Sequence, residues 1–216
     1  SRWVAYYKQR GIRAVLLDCA HAKNLNLIAD NIRVVLKDKL QKQAEKGMTG
    51  RSIKVMVLGI PNVGKSSLIN KLAGRASAVT GDRPGVTRGK QWIRLKNGLE
   101  LLDTPGILWP KFEEEKIGLN LAFVGSIKDE IIDVETLACK LLEFLNRYYA
   151  AQLHQRYKLQ PIGGLSGYEL LTAIGKKRGF VVSGGEIDTL RAANIVLDEF
   201  RSGKIGKISL EIPEVD

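Results

Sequence analysis

Ile53-Lys54-Val55-Met56-Val57-Leu58-Gly59-Ile60-Pro61-Asn62-Val63-Gly64-Lys65-Ser66 is the stretch that decides the fold. An apolar strand runs into a loop bounded by two glycines, and a helix is expected from Lys65 to about Ala73. Gly59 to Ser66 fits G-x-x-x-x-G-K-[ST] in that strand-loop-helix context. The glycines let the backbone wrap closely around phosphate, so that its N–H groups and the helix N-terminus point at the anion. The phosphate-facing set is then Asn62, Val63, Gly64, Lys65, Ser66 and Ser67. In such a loop the lysine reaches the β- and γ-phosphates and the serine hydroxyl binds magnesium.

Downstream, residues 76–88 contain Gly81, Pro84 and Gly85 and read as a mobile loop. Thr87 in that loop can offer a second hydroxyl to magnesium. Gln91–Leu95 and Leu99–Leu102 alternate around Asn97-Gly98, a hairpin signal. The second strand ends in Asp103-Thr104-Pro105-Gly106. Asp103 there can hold magnesium through water, and the Gly106 N–H can sense a γ-phosphate. Lys65, Thr87 and Gly106 form the expected catalytic set. Ile107 follows, where Ras-like proteins carry a glutamine that orients water, so the water must be positioned by another group.

Upstream, residues 2–9 read as the tail of a helix ended by Gly11, and Ala14-Val15-Leu16-Leu17 as a short buried strand. From Asn24 to about Glu45 apolar residues recur at helical spacing with lysines and arginines opposite. No N-K-x-D tetrapeptide, the motif that accepts from the guanine N1–H and N2–H₂, occurs in the chain. Yet about a quarter of the chain precedes the phosphate loop. Circular permutation accounts for both facts. The strand end Asp18-Cys19-Ala20 then approaches the base, and the missing tetrapeptide is expected just before Ser1, in a chain that opens in mid-helix without an initiator methionine.

After residue 113 helical patterns replace strand-helix alternation, through Leu121–Ile127, Val134–Tyr149 and Glu186–Phe200. The expected class is α/β, a circularly permuted P-loop GTPase domain over 1–112 with a C-terminal helical domain over 113–216. The 216 residues carry 34 Lys and Arg against 23 Asp and Glu, a net charge of +11, which suits a polyanionic partner. Cys19 and Cys139 have no metal-ligand spacing and fit a reducing cytoplasm. No apolar run approaches the roughly 20 residues that span a bilayer, and Ser1 to Lys8 has no signal-peptide layout.

Gly59–Ser66 followed by Leu68-Ile69-Asn70, then Thr80-Gly81-Asp82-Arg83-Pro84-Gly85-Val86-Thr87, and Asp103-Thr104-Pro105-Gly106-Ile107-Leu108-Trp109-Pro110-Lys111-Phe112, resemble the ribosome biogenesis GTPase A (RbgA/YlqF) family. The resemblance extends to Lys176-Lys177-Arg178-Gly179 and Ser183-Gly184-Gly185. It implies a GTP- and magnesium-dependent factor for late assembly of the large ribosomal subunit, with hydrolysis stimulated by the subunit. It also implies a C-terminal helical domain that contacts ribosomal RNA, with no DNA or membrane partner, acting as a monomer off the ribosome. The family's guanine-specificity motif and a proposed catalytic histidine belong to a section that this chain lacks.

Alternatives remain open at this level. A P-loop ATPase or kinase lacks N-K-x-D equally well, and an RNA-binding module with a weakened nucleotide site is a third class. Asn62 either holds K⁺ against the phosphates or stabilises the loop. His21 and His154 read as surface or packing residues, and Trp3, Trp92 and Trp109 as packing. Two basic clusters stand out: Lys37, Lys39, Lys42, Lys46, Arg51 and Lys54, and Lys176, Lys177, Arg178, Lys204 and Lys207. Each alone is usually a solvated face, and the resemblance favours RNA contact at the second.

Overall fold

The computed structural model describes residues 2–19, 23–48, 50–74, 91–95, 97–108, 114–127, 129, 132–160 and 164–213. The chain forms two compact units, Ser1–Leu108 with Glu211–Asp216, and Trp109–Leu210. Thr87, Ala20, His21 and Trp109 lie outside the described residues.

In the first unit, strand β1 (Ile53–Val57) leads into the phosphate loop and helix α4 (Lys65–Ala73), the helix with the bounds expected from its pattern. Strands β2 (Gln91–Arg94) and β3 (Leu99–Asp103) form the expected hairpin, with Gly98 at φ 80° where the turn needs a left-handed residue. The sheet order is β1-β3-β2, with β1 parallel and β2 antiparallel to β3. Val57 lies opposite Asp103. The phosphate loop and the Asp103 loop therefore leave the sheet side by side at its carboxyl edge, the place where open α/β sheets bind ligands. One sheet face, built from Ile53, Val55, Val57, Leu99, Leu101 and Ile93, packs on Ile69 and Leu72 of α4.

Ahead of β1 come helices α1 (Arg2–Gln9), α2 (Asn26–Val35) and α3 (Lys37–Glu45). Gly11 closes α1 at φ 69°. The helix expected from Asn24 to Glu45 divides at Leu36, whose ψ of 9° leaves the helical range. Only the first half is held to a core, through Ala29 and Ile32, while α3 buries nothing. The strand expected at Ala14–Leu17 does not form. Among the described residues no neighbouring strand takes its N–H and C=O groups, and the backbone pairs only at Asp18 with Lys23. Leu16 is accordingly exposed rather than buried.

The second unit contains α5 (Glu115–Phe123), α6 (Val134–Tyr148), α7 (Ala150–Tyr157), α8 (Gly167–Arg178) and α9 (Thr189–Arg201). Asp133 caps α6 by accepting from the Glu135 and Thr136 N–H groups. Leu137, Leu141, Leu142 and Leu145 recur along the buried face of α6 and pack on Leu170, Leu171 and Ile174 of α8 and Val196 and Leu197 of α9. The close approach of α6 and α8 requires Gly167, where a Cβ would lie 2.3 Å from the Cys139 carbonyl oxygen. Helices α7 and α8 went unread in the sequence, although Ser166-Gly167-Tyr168-Glu169 carries a start signal. The structure shows it as a capping box, with the Ser166 side chain accepting from the Glu169 N–H and the Glu169 carboxylate accepting from the Ser166 N–H.

Glu199 on α9 is nearly buried, and it accepts from Arg156 of α7 and from Arg178 of α8 at 3.0 Å. The Arg156 hydrogen bond chiefly holds the Glu199 carboxyl below its ordinary range, against its burial. Arg178 is thus part of the packing of this unit and not a free cation beside Lys176 and Lys177. This removes Arg178 from the RNA-contacting cluster expected at Lys176, Lys177, Arg178, Lys204 and Lys207.

Candidate phosphate and nucleotide site

The loop after β1 has the backbone that the motif demands. Asn62 and Gly64 both take left-handed conformations, φ 60° and φ 90°. A left-handed asparagine is among the few non-glycine residues tolerated there. Gly64 is also the N-cap of α4, and no side chain caps that helix end. The N-terminal N–H groups of Lys65, Ser66 and Ser67 therefore have no side-chain cap competing with an incoming anion.

Lys65 donates from Nζ to the Ile60 carbonyl at 2.8 Å, which folds its chain back over the loop. Burial pushes the Lys65 ammonium below its ordinary value, and the charge of Asp103 opposes that. A polyphosphate would add negative charge where this cation is short of it. Ser66 Oγ donates to Asp103 Oδ2 at 3.4 Å. The other oxygen, Asp103 Oδ1, is buried without a hydrogen-bond partner. A buried, unsatisfied carboxylate oxygen is costly, and next to a serine hydroxyl it fits a hydrated divalent cation. Ser66 and Asp103 are thus brought together.

The Asp103 loop meets the end of β1 once and the phosphate loop twice. Thr104 Oγ1 donates to the Val57 carbonyl at 2.7 Å. The Ile107 N–H donates to the Gly59 carbonyl at 3.2 Å. Gly106 lies against Pro61, and a Cβ at 106 would stand 2.6 Å from the Pro61 backbone nitrogen and Cα. Neither Pro61 nor Thr104 was singled out in the sequence. Pro61 carries no signal beyond its place in the loop, whereas Thr104 sits within the D-x-x-G motif itself.

Asp18 and Cys19 are half-buried at the Asp18–Lys23 bridge. Trp92 is not a packing residue: half its surface is exposed on the outer sheet face, under the Lys54 ammonium at 5.2 Å. Trp3 is also partly exposed and stacks on Tyr7 along α1. His154 is part-buried, with Nε2 at 3.3 Å from Asn146 Oδ1, in keeping with a packing role.

Residues 54–159 match a family described as 50S ribosome-binding GTPase. The chain is 46% identical to ribosome biogenesis GTPase A of Bacillus cereus over 99% of its own length and 72% of that protein. It belongs to the ribosome biogenesis GTPase A family. Two solved structures within this family are similar throughout. A GDP-bound YlqF has a TM-score of 0.64 at 28% identity, over 98% of this chain and 76% of that one. A GNP-bound YlqF from T. maritima has a TM-score of 0.61 at 27% identity, over 100% of this chain and 76% of that one. The family has thus been solved with a diphosphate and with a triphosphate analogue. Among the described residues no helix is long and apolar enough to cross a membrane.

Proposed function

We propose that this chain binds and hydrolyses GTP at the Gly59–Ser66 loop and uses that cycle in assembly of the large ribosomal subunit. The observation that carries the reading is the unsatisfied Asp103 oxygen beside Ser66, under a lysine desolvated by the same loop. Family membership supplies the guanine nucleotide and the ribosomal context. The order of motifs is permuted, with Asp18-Cys19-Ala20 approaching the base from ahead of the phosphate loop.

The chain's own residues divide the chemistry. The Asn62–Ser67 backbone cradles the phosphates, and Lys65 neutralises charge between the β- and γ-positions. Gly106 presents its N–H to the γ-phosphate, and Thr87 contributes a hydroxyl. Ser66, Thr87 and Asp103 would hold magnesium, which neutralises the charge that develops on the transferring phosphoryl group. Ile107 has no atom that can orient water, so hydrolysis alone is slow and the subunit completes the site. K⁺ at Asn62 is the candidate for part of that completion. The helical unit contacts ribosomal RNA through Lys176, Lys177, Lys204 and Lys207.

The experiment is GTP turnover with and without large-subunit particles, with ATP as competitor and Na⁺ replacing K⁺ in a parallel series. Stimulation by particles and indifference to excess ATP are expected. Turnover that ATP suppresses would favour the ATPase reading, and turnover indifferent to particles would remove the ribosomal one.

A further inference from the structure

The positive charge is unevenly shared. Residues 1–108 hold 20 Lys and Arg against 7 Asp and Glu, whereas residues 109–210 hold 14 against 13. The helical unit is nearly neutral, and three of its arginines are engaged: Arg156 and Arg178 with Glu199, and Arg201 with Asp129. The excess belongs to the nucleotide-binding unit.

Within that unit α3 has an unusual combination of features. It buries no residue. Lys39 and Lys42 lie on it and Lys46 at its C-cap, and their spacing of three and four residues puts them on one face. All three are exposed, and none forms an ion pair among the described residues. Glu45 is turned to Gln41, from which it accepts a hydrogen bond at 3.3 Å. Asp38 and Glu45 lie four residues before and three after Lys42, at the edge of the row, and neither forms an ion pair with it among the described residues. A helix with so little packing derives little stability from the core, and its lysine row is left facing solvent.

We infer that the Lys39–Lys42–Lys46 row of α3 is an RNA-backbone contact surface of the nucleotide-binding unit, distinct from the helical unit's lysines. It rests on the ribosomal reading for its natural partner but not for its chemistry, which is recognition of closely spaced phosphates by unpaired ammonium groups. An anionic membrane is the other polyanion available. Interfacial helices need an apolar face carrying Trp, Phe or Leu, and α3 offers only Leu40 and Ala44. RNA asks for the charge alone.

The test compares wild type with Lys39→Gln/Lys42→Gln/Lys46→Gln, which keeps good helix formers at each position. Three probes are used: large-subunit particles, a non-ribosomal duplex RNA, and phosphatidylglycerol vesicles, each over a salt series. Intrinsic GTP hydrolysis should be unchanged, since none of the three touches the phosphate loop, and it also reports that the fold is intact. Affinity for duplex RNA should fall by about tenfold or more near 0.1 M salt, and the slope of log affinity against log salt should become shallower by about two. Particle binding should weaken in the same sense. Wild-type binding to duplex RNA but not to particles would sink the ribosomal reading and leave this one standing. Equal affinity and equal salt slope in the two proteins on duplex RNA would overturn the α3 surface. So would loss of vesicle binding in the variant with RNA binding intact.

Discussion

The two units divide labour in their interiors as well as in their charge. The helical unit is built around α6, with Leu141, Leu142, Leu145, Leu153, Leu171 and Ile174 sealed from solvent, and the nearly buried Glu199 carboxylate held by two arginines. The nucleotide-binding unit has a smaller core on one sheet face. Its nearly buried Asp103 keeps an oxygen unsatisfied, and α1 and α3 bury nothing. The contrast lies in these two carboxylates: Glu199 is engaged through both of its oxygens, whereas Asp103 keeps one oxygen open beside Ser66, as a ligand site requires. Energy stored as an unmade hydrogen bond in the resting protein becomes affinity when the ligand arrives.

The largest effect that sharpens this contrast is expected from Lys65→Ala. Loss of the cation facing the phosphates should weaken GDP and GTP binding by at least about a hundredfold, in line with charge-assisted contacts of about 3 kcal/mol. Unfolding of the ligand-free protein should change little. Isothermal titration beside thermal unfolding separates the two, and binding within a few-fold of wild type would break the contrast.

Next comes Glu199→Gln, with the opposite signature. It should cost about 2 kcal/mol of stability, below the usual loss for a broken buried pair because the stranded arginines are a third exposed and reach water. GTP binding should be untouched. The pH dependence follows from the lowered Glu199 carboxyl. A depressed folded-state value contributes stability that is present above the unfolded-state value, near 4.3, and is lost as pH falls through the folded one. Wild type should therefore lose stability in acid below about pH 4 more steeply than the variant, as chemical denaturation at several pH values would read.

Smallest is Lys54→Gln on the outer sheet face. Removing the cation over Trp92 should cost about 0.5 kcal/mol, and the change should be visible mainly as altered Trp92 fluorescence. A large destabilisation there would mean that the outer face matters as much as the packed one.

Much of this was legible because it is local. The Gly59–Ser66 spacing, the Asn97-Gly98 turn and the end of β3 at Asp103 each depend on neighbours in sequence. The misreadings share a different cause. Ala14–Leu17 has a strand's composition, but a strand needs a partner, and pairing is not written in four residues. Arg178 looks like part of a basic run until α9 brings Glu199 against it from 21 residues away. Trp92 reads as packing by residue type, yet strand alternation puts it on the sheet face away from Ile69 and Leu72, with half its surface exposed. Helix α8 is legible by the same local rule, since Ser166 and Glu169 form its capping box, whereas α7 begins after Tyr149 with no side-chain cap to mark it.

The contact of Gly106 with Pro61 bears on how tolerance to substitution should be interpreted in this family. A glycine at the end of D-x-x-G is ordinarily credited to γ-phosphate sensing. Here the two loops share a wall too thin for any side chain, and proline, with its fixed φ and missing N–H, is a stiff surface to press against. Intolerance at 106 would persist in a screen that selects only for GDP binding, where there is no γ-phosphate to sense. A residue can thus be irreplaceable twice over, once for its amide and once for the empty space where a side chain would be.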